Sequence, residues 1–293
     1  MRTLGYHRPA SVDETCALLA TLGPRARLVA GGTAVAILLK EGLLDAEHLV
    51  SLERVPLDAV AWRNGALVIG AMVTHQALAD HPLVHAHVPI LAEVFGQVAS
   101  RRIRNVATVG GGLCWAEAAS DPPGLLIALG ARVAASRAGG RRQLAVRELF
   151  RDYFTTALAP DEVLTEIEVP APPPDAGVAY LKFTPQSKAD KPVLAVTALT
   201  RRVDGRCAQA AIVVGGAGPV PLGLPEVDAT FDGTALDDAV IQRATARYAE
   251  AARPVSDTRG SEDYKRRMIR VLVARAVRQA WARAEATEGH GRG

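Results

Sequence analysis

The chain has 293 residues, enough for two domains of ordinary size, and 49% of them are apolar, ample for a packed core. Its net charge is only +3 with acids and bases interspersed, which argues against the clustered Lys and Arg surface of a dedicated nucleic-acid binder. Cys16, Cys114 and Cys207 are far apart and form no CxxC pair, which argues against a disulfide framework, a structural zinc site or a four-cysteine iron–sulfur cluster in this chain.

The start, MRTLGYHRPA, has no charged-then-apolar leader, and the longest apolar run, Ala34 to Leu39, is too short to span a bilayer. A cytoplasmic setting is therefore expected. Ser11-Val-Asp-Glu14 is a capping box that predicts a helix to about Leu22, stopped by Gly23-Pro24. "ARLVAGGTAVAILLKEG" then reads strand, glycine turn, helix, and His48 to Leu52 reads as a second strand, giving a small βαβ-like unit. "GALVIGAMV" alternates like a strand, and "PILAEVFGQVAS" has helical spacing with proline at its start. After a glycine run, "PPGLLIALG" predicts a short helix, and "ARVAASR" and "EVLTEIEVP" predict strands. Ala171 to Gly177, "APPPDAG", is the clearest linker. Beyond it "AYLKF" opens a strand, and two strands joined at Asp204-Gly205 form a hairpin. Two helices close the chain, the last with a buried face at Ile269, Leu272, Val273, Ala276, Val277 and Ala280. The order predicts an α+β fold in two parts, with strands before helices in the second.

Two glycine runs, Gly31-Gly32-Thr33 and Gly110-Gly111-Gly112, invite a phosphate reading. Successive amide N–H groups form a concave anion site, and missing Cβ atoms let oxygens approach the backbone. The alternative is two plain turns. No GxxxxGK[ST] is present, and "VVGGAGPVPLG" runs into prolines instead of a helix, so neither a P-loop nor a dinucleotide fingerprint fits. Asp121 reads as a ribose acceptor or as the N-cap before Pro122. His81, His85 and His87 raise a metal reading, but Pro82 and Pro89 break the segment and make a solvated loop the better one. Lys182, in a strand, meets a ligand or a carboxylate, or faces solvent at an edge. No nucleophile stands with its base, so a hydrolase gets no support.

Together these pieces resemble the medium, FAD-binding subunit of the molybdenum hydroxylases, the xanthine dehydrogenase and carbon monoxide dehydrogenase family. The family's AGGTDL stands here as Ala30-Gly31-Gly32-Thr33-Ala34-Val35. Its RNxATIGGN stands as Arg104 to Gly112, followed by the Ser120-Asp121 pair. "YHRPASVDE", "LVIGAMVTH", "DEVLTEIEVP" and "SDTRGSEDYKRRM" match in order, so the likeness covers almost the whole chain.

The resemblance implies a two-lobed FAD-binding domain of the vanillyl-alcohol-oxidase/PCMH type over 1–172, with subdomains of about 1–55 and 56–172. It implies a carbon monoxide dehydrogenase flavoprotein-like C-terminal domain over 173–287 and a frayed tail over 288–293. It places FAD on Leu28, Val29, Ala30, Gly31, Gly32, Thr33, Ala34 and Val35 and on Thr108, Val109, Gly110, Gly111 and Gly112. The pyrophosphate lies across both glycine runs. Ser120 belongs to this set, Asp121 holds the adenosine ribose, and Leu164 and Lys182 contact the isoalloxazine, with Val98 and Asp190 near the ring. No metal ligand or substrate-oxidising residue is assigned. The implied role is electron relay from the 2Fe–2S clusters of a small subunit, itself served by a large molybdenum-cofactor subunit, to an external acceptor, in a dimer of heterotrimers. A cofactor-free scaffold of the same fold and a stand-alone flavin oxidase are the alternatives. The departures are Ala34 for an acid and Gly112 for an asparagine, and Cys114 and Trp115 are expected to crowd the cofactor.

Overall fold

A computed structural model describes residues 4–290. Strand β1 (Gly5–His7) leads into α1 (Val12–Leu22). Ser11 Oγ accepts the Glu14 amide at 3.1 Å, while Glu14 reaches back one residue beyond the N-cap to the Ala10 amide at 2.7 Å. Gly23, at φ +67°, ends the helix. Strands β2 (Ala26–Val29) and β3 (His48–Ser51) flank α2 (Thr33–Lys40). All three strands are parallel, in the order β1-β3-β2, which is the predicted βαβ unit with one added strand.

The next unit runs through β4 (Val60–Arg63), β5 (Ala66–Gly70), α3 (His75–Ala79), α4 (Pro82–His87), α5 (Pro89–Gly96) and α6 (Arg101–Arg104). It continues through α7 (Val109–Trp115), α8 (Pro122–Ala128), β6 (Arg132–Arg137), β7 (Gly140–Ala145) and α9 (Val146–Leu149). A small ribbon, β8 (Phe150–Asp152) with β9 (Thr155–Thr156), precedes β10 (Val163–Pro170). Five of these strands form an antiparallel sheet, β4-β5-β10-β6-β7, with a bulge in β10 between Leu164 and Glu166.

The last unit holds β11 (Ala176–Phe183), β12 (Leu194–Val203), β13 (Arg206–Gly215) and β14 (Leu222–Gly223), antiparallel in that order, then α10 (Pro225–Asp228), α11 (Asp238–Ala251) and α12 (Glu262–His290). The predicted linker is shortened, because β11 takes its last two residues. The β12–β13 turn is the predicted one, with Asp204 at φ +50° and Gly205 at +74°, the two positive angles of a type I′ turn. Of the expected frayed tail, residues 291–293 lie outside the described residues, and α12 is described through His290.

Strand alternation decides how the halves meet. On β11, Val178 and Tyr180 face the first half and join its core with Leu125, Phe95 and Ala195. Ala179, Leu181 and Phe183 face the other way, toward α11 and α12. On that side helix and strand meet backbone to backbone: a Cβ on Gly177 would stand 2.0 Å from the Ala280 carbonyl oxygen. Lys182, next on the Tyr180 face, is thereby aimed into the first half.

Candidate functional site

The two glycine runs touch each other. A Cβ on Gly31 would lie 1.7 Å from the Val106 carbonyl oxygen and 3.1 Å from the Ala107 Cα, and one on Gly111 would lie 3.4 Å from the Ala30 Cβ. Gly31 is thus fixed as glycine by the packing of one run on the other. Gly32 has a different reason: at φ +71° it turns the chain into α2 from the left-handed region. No side chain caps α2, and none of its residues is buried. Its first-turn amides, which no helix can satisfy internally, therefore stand uncapped beside half-buried Thr33, Ala34 and Val35.

The second run is not the turn expected from sequence. Gly110, Gly111 and Gly112 are the first turn of α7, capped by Thr108. The Val109 amide donates to Val73 O and the Gly110 amide to Ala71 O, both at 2.9 Å. The Gly111 amide donates to Thr108 Oγ1 at 3.1 Å and the Gly112 amide to Thr108 O at 2.9 Å. All four donors are engaged within the chain. The expected anion nest is therefore not open here, and the free donors belong to the first run. Glycine at 110 serves close packing, since its Cβ would meet that of Ala71 at 2.6 Å.

His75 lies beneath this helix start. It is buried, packs edge-on against Phe95, and its Nε2 is 3.2 Å from Thr108 O. A carbonyl only accepts, so Nε2 carries the proton and Nδ1 is a bare acceptor with no partner among the described residues. Burial lowers its pKa to about 4, so the ring is neutral at physiological pH. A Cβ on Gly112 would lie 3.4 Å from His75 Nε2, so the space an asparagine would enter there borders this ring.

A buried polar cluster joins the two halves. Lys182 Nζ donates to Asp121 Oδ2 at 3.1 Å and to Gln97 O at 3.0 Å, and the Tyr180 hydroxyl donates to Asp121 Oδ1. The side chains of Lys182 and Asp121 are each 5% exposed. Burial pushes the Asp121 carboxyl above the usual carboxylate range, against the pull of Tyr180 and Lys182. Burial and the neighbouring carboxylate push the Tyr180 phenol well above its ordinary value. Asp121 occupies the N-cap position of α8 as predicted, but its side chain makes no capping bond: Pro122 and Pro123 at the helix start carry no N–H, and both oxygens turn to Tyr180 and Lys182. Lys182 meets a carboxylate, one of the alternatives its strand position left open.

The other expected site residues are scattered in exposure. Leu28, Val29, Ala30, Val98 and Ser120 are half-buried. Leu164 is a core residue beside the β10 bulge, and Asp190 is exposed in the loop after β11, accepting the Ser187 amide at 3.1 Å. Cys114 is exposed, and Trp115 packs on Phe154 with ring centroids 4.9 Å apart. The expected solvated loop at His81 to His87 is instead the short helix α4: His81 caps it and His87 stacks on Trp62 at 3.8 Å. Among the described residues no group of three metal-ligating side chains converges. None of the described helices is long and apolar enough to cross a membrane.

Sequence reasoning missed His75, Gln97 and Tyr180. Only Tyr180 left a signal, since it stands two residues before Lys182 on the same strand face.

The sequence matches the FAD binding domain in molybdopterin dehydrogenase over residues 2–172 and the CO dehydrogenase flavoprotein C-terminal domain over residues 179–280. The carbon monoxide dehydrogenase medium chain of Afipia carboxidovorans is 34% identical over 281 residues, covering 96% of this chain and 97% of that one. Carbon monoxide dehydrogenase from Hydrogenophaga pseudoflava superposes with a TM-score of 0.93 at 32% identity, over 96% of this chain and 98% of that chain. Quinoline 2-oxidoreductase from Pseudomonas putida 86 does so with a TM-score of 0.90 at 29% identity, over the same shares.

Proposed function

The chain belongs to the family of FAD-binding subunits of molybdopterin dehydrogenases, and from that premise we propose that it is the electron-relay subunit of a molybdenum-containing hydroxylase or dehydrogenase complex. A large subunit with the molybdenum cofactor oxidises the substrate, and a small subunit with 2Fe–2S clusters delivers electrons to this chain, which passes them to an external acceptor. The complex is a cytoplasmic dimer of such heterotrimers.

Bound FAD supplies the two-electron redox chemistry. The chain supplies its cradle. The uncapped amides at the start of α2, with Gly32 turning the backbone and Thr33 adding a hydroxyl, hold the pyrophosphate. Val109 to Gly112 back that run, their own amides being engaged. Asp121 and Lys182 were expected at opposite ends of the cofactor. Their 3.1 Å contact argues that they serve one end, and the resemblance at Lys182 makes it the ring end. There the ammonium favours negative charge on the reduced ring. Leu28, Val29, Ala30, Ala34, Val35, Val98, Ser120, Leu164 and Asp190 complete the lining by resemblance.

One observation carries the reading: in a chain that matches this family almost end to end, the glycine run at the head of α2 leaves its helix amides without a side-chain cap. The test is the visible spectrum of the purified protein with release and identification of its cofactor. A two-banded flavin spectrum with near-stoichiometric FAD, together with co-purifying molybdenum and iron–sulfur subunits, supports relay. A folded, colourless protein that cannot be reconstituted with FAD replaces it with the scaffold reading.

A further inference from the structure

The Asp121 cluster contains one group to which neither the fold nor the resemblance gives a role, the Tyr180 hydroxyl. Tyr180 is 5% exposed, and its hydroxyl meets Asp121 Oδ1. An ammonium has three N–H donors. Lys182 uses one on Gln97 O and one on Asp121 Oδ2, and its third has no acceptor among the described residues. A buried carboxylate oxygen without a donor is costly, and the ammonium that already holds Asp121 Oδ2 has one N–H left to offer an oxygen released by Tyr180. The Tyr180 hydroxyl occupies Oδ1 instead. It keeps Asp121 on Lys182 through one oxygen only.

We infer that Tyr180 is a positioning residue that holds Asp121 off the third N–H of Lys182, keeping that donor, and the uncompensated part of the lysine charge, available to the flavin. The inference rests on the reading of Lys182 as a ring-facing group. It assigns Tyr180 no contact with the cofactor; the residue acts through Asp121.

The test is the midpoint potential of the FAD-loaded protein, purified with whatever subunits accompany it and titrated with dithionite against reference dyes. Tyr180→Phe keeps the ring in the core and removes only the hydroxyl. Its potential is expected to shift negative, in the same direction as Lys182→Met but by less, with FAD content retained. Asp121→Asn is expected to shift it positive, because the carboxylate charge is removed while an amide oxygen still accepts from Tyr180. An unchanged or positive potential in Tyr180→Phe, with Lys182→Met shifted negative, overturns the role of Tyr180 and leaves the placement of Lys182 standing. An unchanged potential in Lys182→Met overturns that placement itself. Should Tyr180→Phe fail to fold, Asp121→Asn decides alone: an unchanged or more negative potential would mean that the Asp121 charge does not bear on what Lys182 offers the ring.

Discussion

Gly31 sits so close to Val106 that a Cβ would stand 1.7 Å from the Val106 carbonyl oxygen. The two residues lie at the ends of separate glycine-bearing segments, and their contact is what brings those segments together. The backbone, not a side chain, sets the spacing at the heart of the proposed cofactor cradle.

Replacing Gly31 with Ala is therefore expected to destabilise the fold by about 2–3 kcal/mol, the ordinary cost of overpacking. Gly96→Ala is the control. It lies in α5, its φ is not positive, and nothing stands within 4 Å of its Cβ position, so stability should be unchanged or raised by up to ~1 kcal/mol. Urea midpoints of the two variants measure this; equal loss in both would remove the packing explanation.

Asp121→Ala leaves Lys182 buried without its counter-charge. The expected cost is about 3–5 kcal/mol. Adding Lys182→Met should recover part of it, because no buried charge is then left unpaired. A double-mutant cycle in chemical denaturation reads the coupling, and additive losses would mean that the pair does not interact in solution.

Two buried groups give the fold opposed pH dependences. His75 has its pKa lowered by burial to about 4, so between pH 4 and its unfolded value the unfolded chain holds a proton that the folded chain does not. Its contribution to stability rises with pH through that window. Asp228, which accepts from the Ile212 amide at 3.0 Å and the Tyr248 hydroxyl at 2.8 Å, is raised by burial to about 6. The folded chain keeps its proton longer, so stability falls as pH rises from 3.8 to about 6. Each effect is about 3 kcal/mol over its window. Asp228→Asn should make the slope of stability against pH more positive than in the unchanged chain, and His75→Phe more negative. Thermal or urea unfolding from pH 4 to 7 checks both signs.

Thr33→Val tests the phosphate end. Thr33 is half-buried at the start of α2, and removing its hydroxyl should weaken FAD retention about 2- to 10-fold, one hydrogen bond's worth, with little change in stability. Titration of the deflavinated protein with FAD measures it. Unchanged affinity would place the phosphates away from that hydroxyl.

Local chemistry made much of the fold legible. Ser11 with Glu14, Gly23 and Asp204-Gly205 set helix and hairpin boundaries through bonds within a few residues, and the structure keeps them. The glycines at 110 to 112 misled because glycine is a poor helix former; their helix is held by Val73 O and Ala71 O, from a strand end far back in the chain. Asp121 misled for a similar reason. The N-cap rule weighs only nearby amides, whereas its oxygens are taken by Tyr180 and Lys182, 59 and 61 residues on. His75 was silent because its role exists only where the backbone of Thr74 pairs with that of Thr108.

The cluster at Asp121 also bears on recombination between relatives. The acid lies before the short connection between β10 and β11, and the lysine and tyrosine lie after it. A chimera spliced there inherits the carboxylate from one parent and both of its donors from the other. Such a hybrid carries a complete cluster only if the first parent supplies the acid and the second both donors; where it lacks the acid or the lysine alone, it buries a lone charge at the seam, however well each parental half folds in its own context.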